Sequence, residues 1–344
     1  MILEDLLINE GTTIKTAMNI MDKNAKRIIF VVVDGFLRGS LTDGDIRRWI
    51  LKDRSVEENV ECAMNKNTKY IHKTEMNNAQ DIIKDLSIDA LPVVDDNNKI
   101  REIIFNNDEI VHNKIDIPVV IMAGGKGTRL YPYTKILPKP LIPIGDTPII
   151  ERIINKFNEF GCNRFYLTLN YKKNMIKSYF EEINPDYTVN YVEEVKPLGT
   201  GGSLSLMREE LKEPFFVSNC DILVDSNYGD IVDFHKHSGN AVTIVASLKH
   251  ITIPYGVLKL GEDGLLEDTV EKPELTYLIN TGMYLLDPKT VDLIPDDEFF
   301  DLPSLFSRCK EVGYKVGVYP VSQNAWMDMG QIEEMNDMVR RLEG

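Results

Sequence analysis

The chain has 344 residues, 43% of them hydrophobic, an ordinary globular make-up with room for two domains. Its net charge of −15 excludes a broad nucleic-acid surface, which needs clustered Lys and Arg, but not a small anion held by local positive charge. No apolar run is long enough to cross a membrane, Met1-Ile2-Leu3-Glu4-Asp5 carries acids where a signal peptide carries bases, and Cys62, Cys162, Cys220 and Cys309 show no metal-ligand spacing, so reduced thiols in a cytoplasmic protein are expected.

The first 116 residues read as two weak copies of one unit. In the first, Ile14, Ala17, Met18 and Met21 predict a helix over 14–24, Ile28–Val33 a strand, Asp34-Gly35 a turn, and Thr42-Asp43-Gly44-Asp45 the start of a helix ending near Ile50. In the second, a helical pattern over Ala79–Leu86 precedes Leu91–Val94, a turn at Asp95–Asn98, strand Ile100–Ile104 and a helix start at Asn107-Asp108-Glu109. A hydroxyl and N–H groups at a helix N-terminus can meet a phosphate, and Asp45 can accept from ribose hydroxyls. Equally, Thr42 and the acids can do no more than cap the helix. Phe105 stands in the second copy where Thr42 stands in the first, with Asp108 three residues on, so at most one well-formed site is expected. On the run Thr42–Arg48 this half resembles a pair of cystathionine-β-synthase (CBS) modules, about 1–55 and 56–116. The resemblance implies a regulatory role, an adenine nucleotide at Thr42 and Asp45, and a homodimer.

A boundary falls near Ile115–Pro118. Beyond it, strand-like runs at Val119–Met122, Phe165–Leu169, Val189–Val192, Phe215–Val217, Ala241–Ser247 and Gly282–Leu286 alternate with helical patterns over 149–160, 173–180, 203–211, 231–237 and 331–342. The alternation predicts an α/β, Rossmann-like domain with a mostly parallel sheet, and ligands at the C-terminal ends of its strands. His235 and His237 are expected on a solvated helix end, and the five histidines form no ligand cluster.

The first of those strands runs into Ala123-Gly124-Gly125-Lys126-Gly127-Thr128-Arg129-Leu130, with Pro138-Lys139-Pro140 beyond. Glycines let backbone N–H groups approach phosphate oxygens, and Arg129 and Lys139 bring charge from two sides. The third glycine of a dinucleotide fingerprint is replaced by Leu130, and the spacing of a P-loop is absent. A second glycine run, Pro197–Ser203, opens a helix after Glu193-Glu194. Phe215–Asp221 is an apolar strand ending in an acid, which is costly unless the carboxylate has a partner such as a metal–phosphate complex. Asp328, before the last helix, is a second acid that can also serve as a cap.

Gly-Gly-x-Gly-Thr-Arg-Leu followed by Pro-Lys-Pro closely resembles the signature of sugar-1-phosphate nucleotidyltransferases, and the resemblance covers residues 118–344. It implies that Ala123, Gly124, Gly125, Gly127, Thr128 and Arg129 hold a triphosphate, that Lys139 neutralises the α-phosphate, and that Gly199 and Thr200 lie near the base with Glu194 before them. It pairs Asp221 with Asp328 on Mg²⁺, sets Lys272 on the sugar phosphate and Glu271 on a sugar hydroxyl, and brings Gly256 and Asn280 to the sugar. Arg129, Lys139 and Asp221 would then be the catalytic set. A CBS pair ahead of such a core is similar to the guanylyltransferases of bacterial nonulosonate (legionaminic acid) pathways, which implies GTP and glucosamine 1-phosphate. Cytidylyl or uridylyl transfer to another hexose or heptose 1-phosphate stays open, as does a nucleotide sensor without turnover.

Overall fold

Apolar runs of strand length build the first of two units, Met1–Val111, into two small sheets of one plan. Strands β1 (Leu7–Asn9) and β2 (Ile28–Val33) run parallel around helix α1 (Ile14–Asn24), and β3 (Phe36–Thr42) returns antiparallel to β2 before helix α2 (Asp43–Ile50). The second sheet repeats this order and direction with β4 (Ile71–His72), helix α3 (Ala79–Leu86), β5 (Ala90–Val94) and β6 (Ile100–Phe105). Ile28, Phe30 and Val32, two residues apart and thus on one face of β2, pack with Ala90, Val94 and Ile100 of the other sheet. In this computed structural model the described residues are 3–24, 26–86, 88–95, 97–106 and 114–343. The helix start expected at Asn107–Glu109, with Asp108, lies outside them.

The second unit, His112–Gly344, takes the connecting segment with it. The Ile115 N–H donates to the Phe160 carbonyl at 2.8 Å, and Ile115 and Ile117 pack on this unit's core. Strand β7 (Val119–Met122) is wholly buried. Small strands β8 (Pro143–Ile144) and β9 (Thr147–Pro148) follow helix α4 (Tyr133–Ile136) and precede α5 (Ile149–Glu159). Then come β10 (Arg164–Leu169), α6 (Lys173–Ile183), β11 (Thr188–Glu193), the short α7 (Gly199–Gly202), β12 (Phe215–Asn219), β13 (Ile222–Val224), α8 (Tyr228–Ser238) and β14 (Val242–Thr252). A hairpin of β15 (Val257–Leu260) and β16 (Leu266–Val270) leads to β17 (Glu274–Leu286), α9 (Leu302–Glu311), β18 (Val316–Val321), β19 (Trp326–Asp328) and α10 (Ile332–Glu343).

The main sheet has the order β11-β10-β7-β12-β17-β14-β18, and only β17 runs against the others. The pleat explains why both faces of β7 are apolar. Val119 and Ile121 enter one core with α5, α6 and α8, while Val120 and Met122 enter the other with α9. The sheet is therefore mostly parallel and covered on both faces, as the alternation of runs predicts.

Two expectations need correction. The helix expected over 203–211 is the short α7 followed by a 3₁₀ turn, Ser203–Met207. His235 is not solvated: it is buried, with Nδ1 2.8 Å from Thr243 Oγ1 and Nε2 3.3 Å from Asp287 Oδ1, and burial pushes its pKa down. It lies on the inner face of α8 with Ile231 and Val232, a stripe that polarity alone did not reveal. His237 is exposed, as expected.

Candidate active site

Because β11, β10, β7 and β12 are parallel, their C-terminal ends share one edge of the sheet. There the chain turns through Ala123–Gly127, Asn170–Lys172, Glu194 and Cys220-Asp221. Such an edge is where backbone groups freed from the ladder can serve a ligand. The Ala123 N–H donates to Thr168 O at 3.1 Å and the Glu194 N–H to Leu169 O at 2.9 Å, so each loop leaves the sheet from a fixed point.

In the first loop a Cβ on Gly125 would meet nothing within 4 Å, and Lys126, Thr128 and Arg129 are exposed. Gly127 has φ 64°, and a Cβ there would lie 2.9 Å from both Lys139 Cβ and Thr134 Cγ2. Glycine is thus required where the loop closes onto the Pro138–Pro140 segment. Arg129 forms no ion pair among the described residues, which leaves its guanidinium available to an anion.

Lys139 is buried and ion-paired with Asp221, itself buried. Asp328 reaches the same place through a strand pair: β13 and β19 are antiparallel with Ile222 opposite Asp328, and the Met329 N–H donates to Asp221 O at 2.8 Å. Burial, then the Asp221 and Glu334 carboxylates, push the Asp328 carboxyl up to about 6, against the Gly330 N–H that donates to it at 2.8 Å. Two mutually repelling carboxylates with one lysine shared between them suit a divalent cation, which would relieve the repulsion. Among the described residues no group of three or more His, Cys, Asp or Glu could enclose a metal. Two carboxylates completed by phosphate oxygens and water are what Mg²⁺ accepts.

Glu194 is a further buried carboxylate, and burial raises its pKa. One oxygen accepts from the Leu198 N–H at 3.2 Å; the other lies 3.2 Å from where a Cβ on Gly124 would stand. It therefore sits between the two glycine loops. The second loop has its own packing reason for glycine. Gly201 and Gly202 N–H groups donate to Phe300 O at 2.9 and 2.8 Å, and a Cβ on Gly199 (φ 80°) would lie 2.6 Å from that oxygen. Thr200 Oγ1 accepts from the Leu302 N–H at 3.3 Å.

On the expected sugar side, a Cβ on Gly256 would lie 2.9 Å from Glu271 Oε2, and the Lys272 N–H donates to Tyr255 O at 3.3 Å with Lys272 in the left-handed region (φ 46°). Gly256, Glu271, Lys272 and Asn280 are all exposed. Asn280 Oδ1 accepts from the Gly282 N–H at 3.0 Å, and the neighbouring Thr281 carbonyl accepts from Trp326 Nε1 at 3.2 Å, which ties this strand to the one carrying Asp328. No side-chain hydrogen bond or ion pair among the described residues links Glu271 or Lys272 to the Lys139–Asp221 pair.

In the first unit Thr42 and Asp45 satisfy one another. The Thr42 N–H and hydroxyl donate to Asp45 Oδ2 at 2.9 and 2.6 Å, the Asp45 N–H donates to Thr42 Oγ1 at 3.1 Å, and Arg48 donates to Asp45 Oδ1 at 2.5 Å. This is a capping box on α2. Two residues that sequence reasoning left out of the site now stand at the strand edge: Lys172, just past β10, and Trp326. Neither belongs to a motif, and the only signal for Lys172 is its position after an apolar strand. No helix among the described residues is long and apolar enough to cross a membrane.

A family profile described as nucleotidyl transferase matches residues 118–343, and a CBS domain profile matches residues 3–52. A mannose-1-phosphate guanyltransferase of Candida albicans is 35% identical over 227 residues, which cover 62% of this chain and 60% of that protein. A probable mannose-1-phosphate guanylyltransferase 3 of Oryza sativa subsp. japonica is 33% identical over 221 residues, 62% of this chain and 61% of that protein. The chain thus spans about 60% of the length of the curated relatives it matches. Among solved structures, HddC from Yersinia pseudotuberculosis is similar at TM-score 0.53 and 25% identity, over 66% of this chain and all of that one. The same protein complexed with GMP-PN gives 0.51 and 26%, again over 66% of this chain and all of that one.

Proposed function

The chain belongs to the nucleotidyl transferase family, and on that premise we propose that it transfers a guanylyl group from GTP to a hexose 1-phosphate, releasing pyrophosphate. The observation that carries the reaction type is the convergence of Lys139, Asp221 and Asp328 beside the glycine loop. A sugar-phosphate oxygen attacks the α-phosphorus, the bond from that phosphorus to the bridging oxygen breaks, and its electron pair leaves with pyrophosphate. The nucleophile is already ionised at neutral pH, so no general base is needed, and positioning and charge neutralisation do the work. Backbone N–H groups of Gly124, Gly125 and Gly127 with Thr128 cradle the triphosphate, with Ala123 fixing the start of the loop. Arg129 meets the leaving group, and Lys139 turns from Asp221 to the α-phosphate. Asp221 and Asp328 would hold a divalent ion, Mg²⁺ by the donor set, which neutralises phosphate charge when bound. Lys272 holds the sugar phosphate, with Glu271, Gly256 and Asn280 on the sugar.

Glu194 supports GTP. A carboxylate only accepts, and guanine alone among the common bases offers two adjacent donors, N1–H and N2–H, to one acid. Uracil and thymine present a single N–H flanked by carbonyl oxygens that a carboxylate repels. Gly199 and Thr200 then border the base. The guanylyltransferase relatives and the GMP-PN complex of HddC point the same way. For the sugar, the relatives favour mannose 1-phosphate, and the fusion to a CBS domain favours glucosamine 1-phosphate. The first unit, with residues 56–116 as a second module of the same plan, is read as regulatory, with an adenine nucleotide and homodimerisation as its expected ligand and assembly.

The test is pyrophosphate release from four nucleoside triphosphates against a panel of sugar 1-phosphates that includes these two. Release with GTP and a hexose 1-phosphate is expected. Faster release with UTP, CTP or dTTP would overturn the base assignment, and release with no pair would overturn the reaction.

A further inference from the structure

Lys172 sits three residues beyond the loop end of β10, at the N-cap of α6, with its backbone in the left-handed region (φ 49°, ψ 33°). A lysine gains nothing from that conformation, so something beyond the backbone holds it there. Its ammonium donates to the main-chain oxygens of Thr134 at 3.3 Å, Lys135 at 2.7 Å and Ile136 at 2.7 Å. An ammonium has three N–H donors, and all three are used. The acceptors are carbonyls at the end of α4, which its single turn leaves without intrahelical partners. The Tyr171 ring lies 5.3 Å from the same nitrogen, and the Tyr171 hydroxyl donates to Thr134 O at 3.5 Å.

What the clamp holds gives it meaning. Thr134 is buried, and its methyl lies 2.9 Å from where a Cβ on Gly127 would stand, as does Lys139 Cβ, on the segment that begins two residues after Ile136. Tying off 134–136 therefore fixes both walls against which the phosphate loop closes. We infer that Lys172 is a positioning residue for Lys139 and the Gly124–Thr128 loop, acting through the carbonyls of Thr134, Lys135 and Ile136. The inference rests on the nucleotidyl-transfer reading for its effect on rate, but not for its effect on the loop. Methionine at this position keeps the length of the side chain and removes the donors.

The test is a double-mutant cycle with a structural readout. Lys172→Met is expected to lower kcat of pyrophosphate release by about thirtyfold, with KM changed far less, since a small misplacement of a catalytic group costs up to about a hundredfold. In the Lys139→Ala background the same change is expected to cost several-fold less than in the wild type, because one of the two groups it positions is gone and only the loop is left to misplace. Amide hydrogen exchange of the full chain should show residues 133–142 exchanging at least about tenfold faster in Lys172→Met, with the rest of the protein unchanged. Equal losses in both backgrounds, or no loss in kcat, overturn the positioning role. Unchanged exchange over 133–142 overturns it without reference to activity. If the wild type releases no pyrophosphate at all, the functional reading fails, while the exchange comparison still decides the clamp.

Discussion

Replacing Lys139 with methionine should damage stability and turnover for separable reasons. The substitution keeps the length of the chain and removes the charge that faces Asp221. Lys139 and Asp221 are each 8% exposed, so water cannot replace the lost partner, and Asp328 already pushes negative potential into the same space. Breaking one side of such a buried pair costs about 3–5 kcal/mol. For a unit of this size that corresponds to a fall in Tm on the order of 10 °C for the transition of residues 112–344. Turnover should fall by about a hundredfold or more, the usual effect of removing one donor to developing charge. Calorimetric melting and pyrophosphate release measure the two effects. The decisive comparison is Lys139→Met with Asp221→Asn added, which leaves no uncompensated charge at the pair. The double variant should regain several degrees and no activity. A Lys139→Met protein as stable as wild type, or a double variant less stable than the single one, would refute the electrostatic argument.

Other predictions follow from neighbouring groups. The Asp328 carboxyl is pushed up to about 6, so it holds a proton below that pH and a cation must displace it; the apparent Mg²⁺ affinity should fall by up to about tenfold per pH unit below pH 6, and Asp328→Asn should flatten the profile in a metal titration. Glu194→Gln gives the buried acceptor an amide that can also donate, so the preference for GTP over UTP should shrink by at least about tenfold in competing-substrate assays, and an unchanged preference would remove Glu194 from base reading. Gly127→Ala adds a Cβ at φ 64° against Lys139 and Thr134, which should cost roughly 1–3 kcal/mol and lower turnover far more than Gly239→Ala, whose Cβ would meet nothing within 4 Å at φ 63°.

Much of this was legible in the sequence because it is local. The β7 run, the glycine loop and the Ile14–Met21 stripe each declare themselves within a dozen residues, where strand and helix periods act. What was not legible depends on distant partners. The glycines at 199, 201 and 202 read as a ligand loop, yet their crowding comes from residues 298–302. The pairing of Asp221 with Asp328 was expected from the family resemblance alone, because physically it needs β13 to find β19, two three-residue strands too short to register as periodic runs. The β15–β16 hairpin buries none of its strand residues, so it leaves no core pattern to detect. Lys172 escaped for a different reason: its partners are carbonyls, and main-chain acceptors leave no mark on a sequence.

The pairing of β13 with β19 also sets an order of events during synthesis. Asp221 leaves the ribosome about a hundred residues ahead of Asp328, and the two meet only by closing that long interval. Until Trp326–Asp328 emerges, a nascent chain can already display its glycine loop and Lys139 but lacks one of the two acids. On the proposed reading, a chain clipped ahead of Trp326 would keep the glycine loop and Lys139 but lose the second acid, and would hold nucleotide without turning it over.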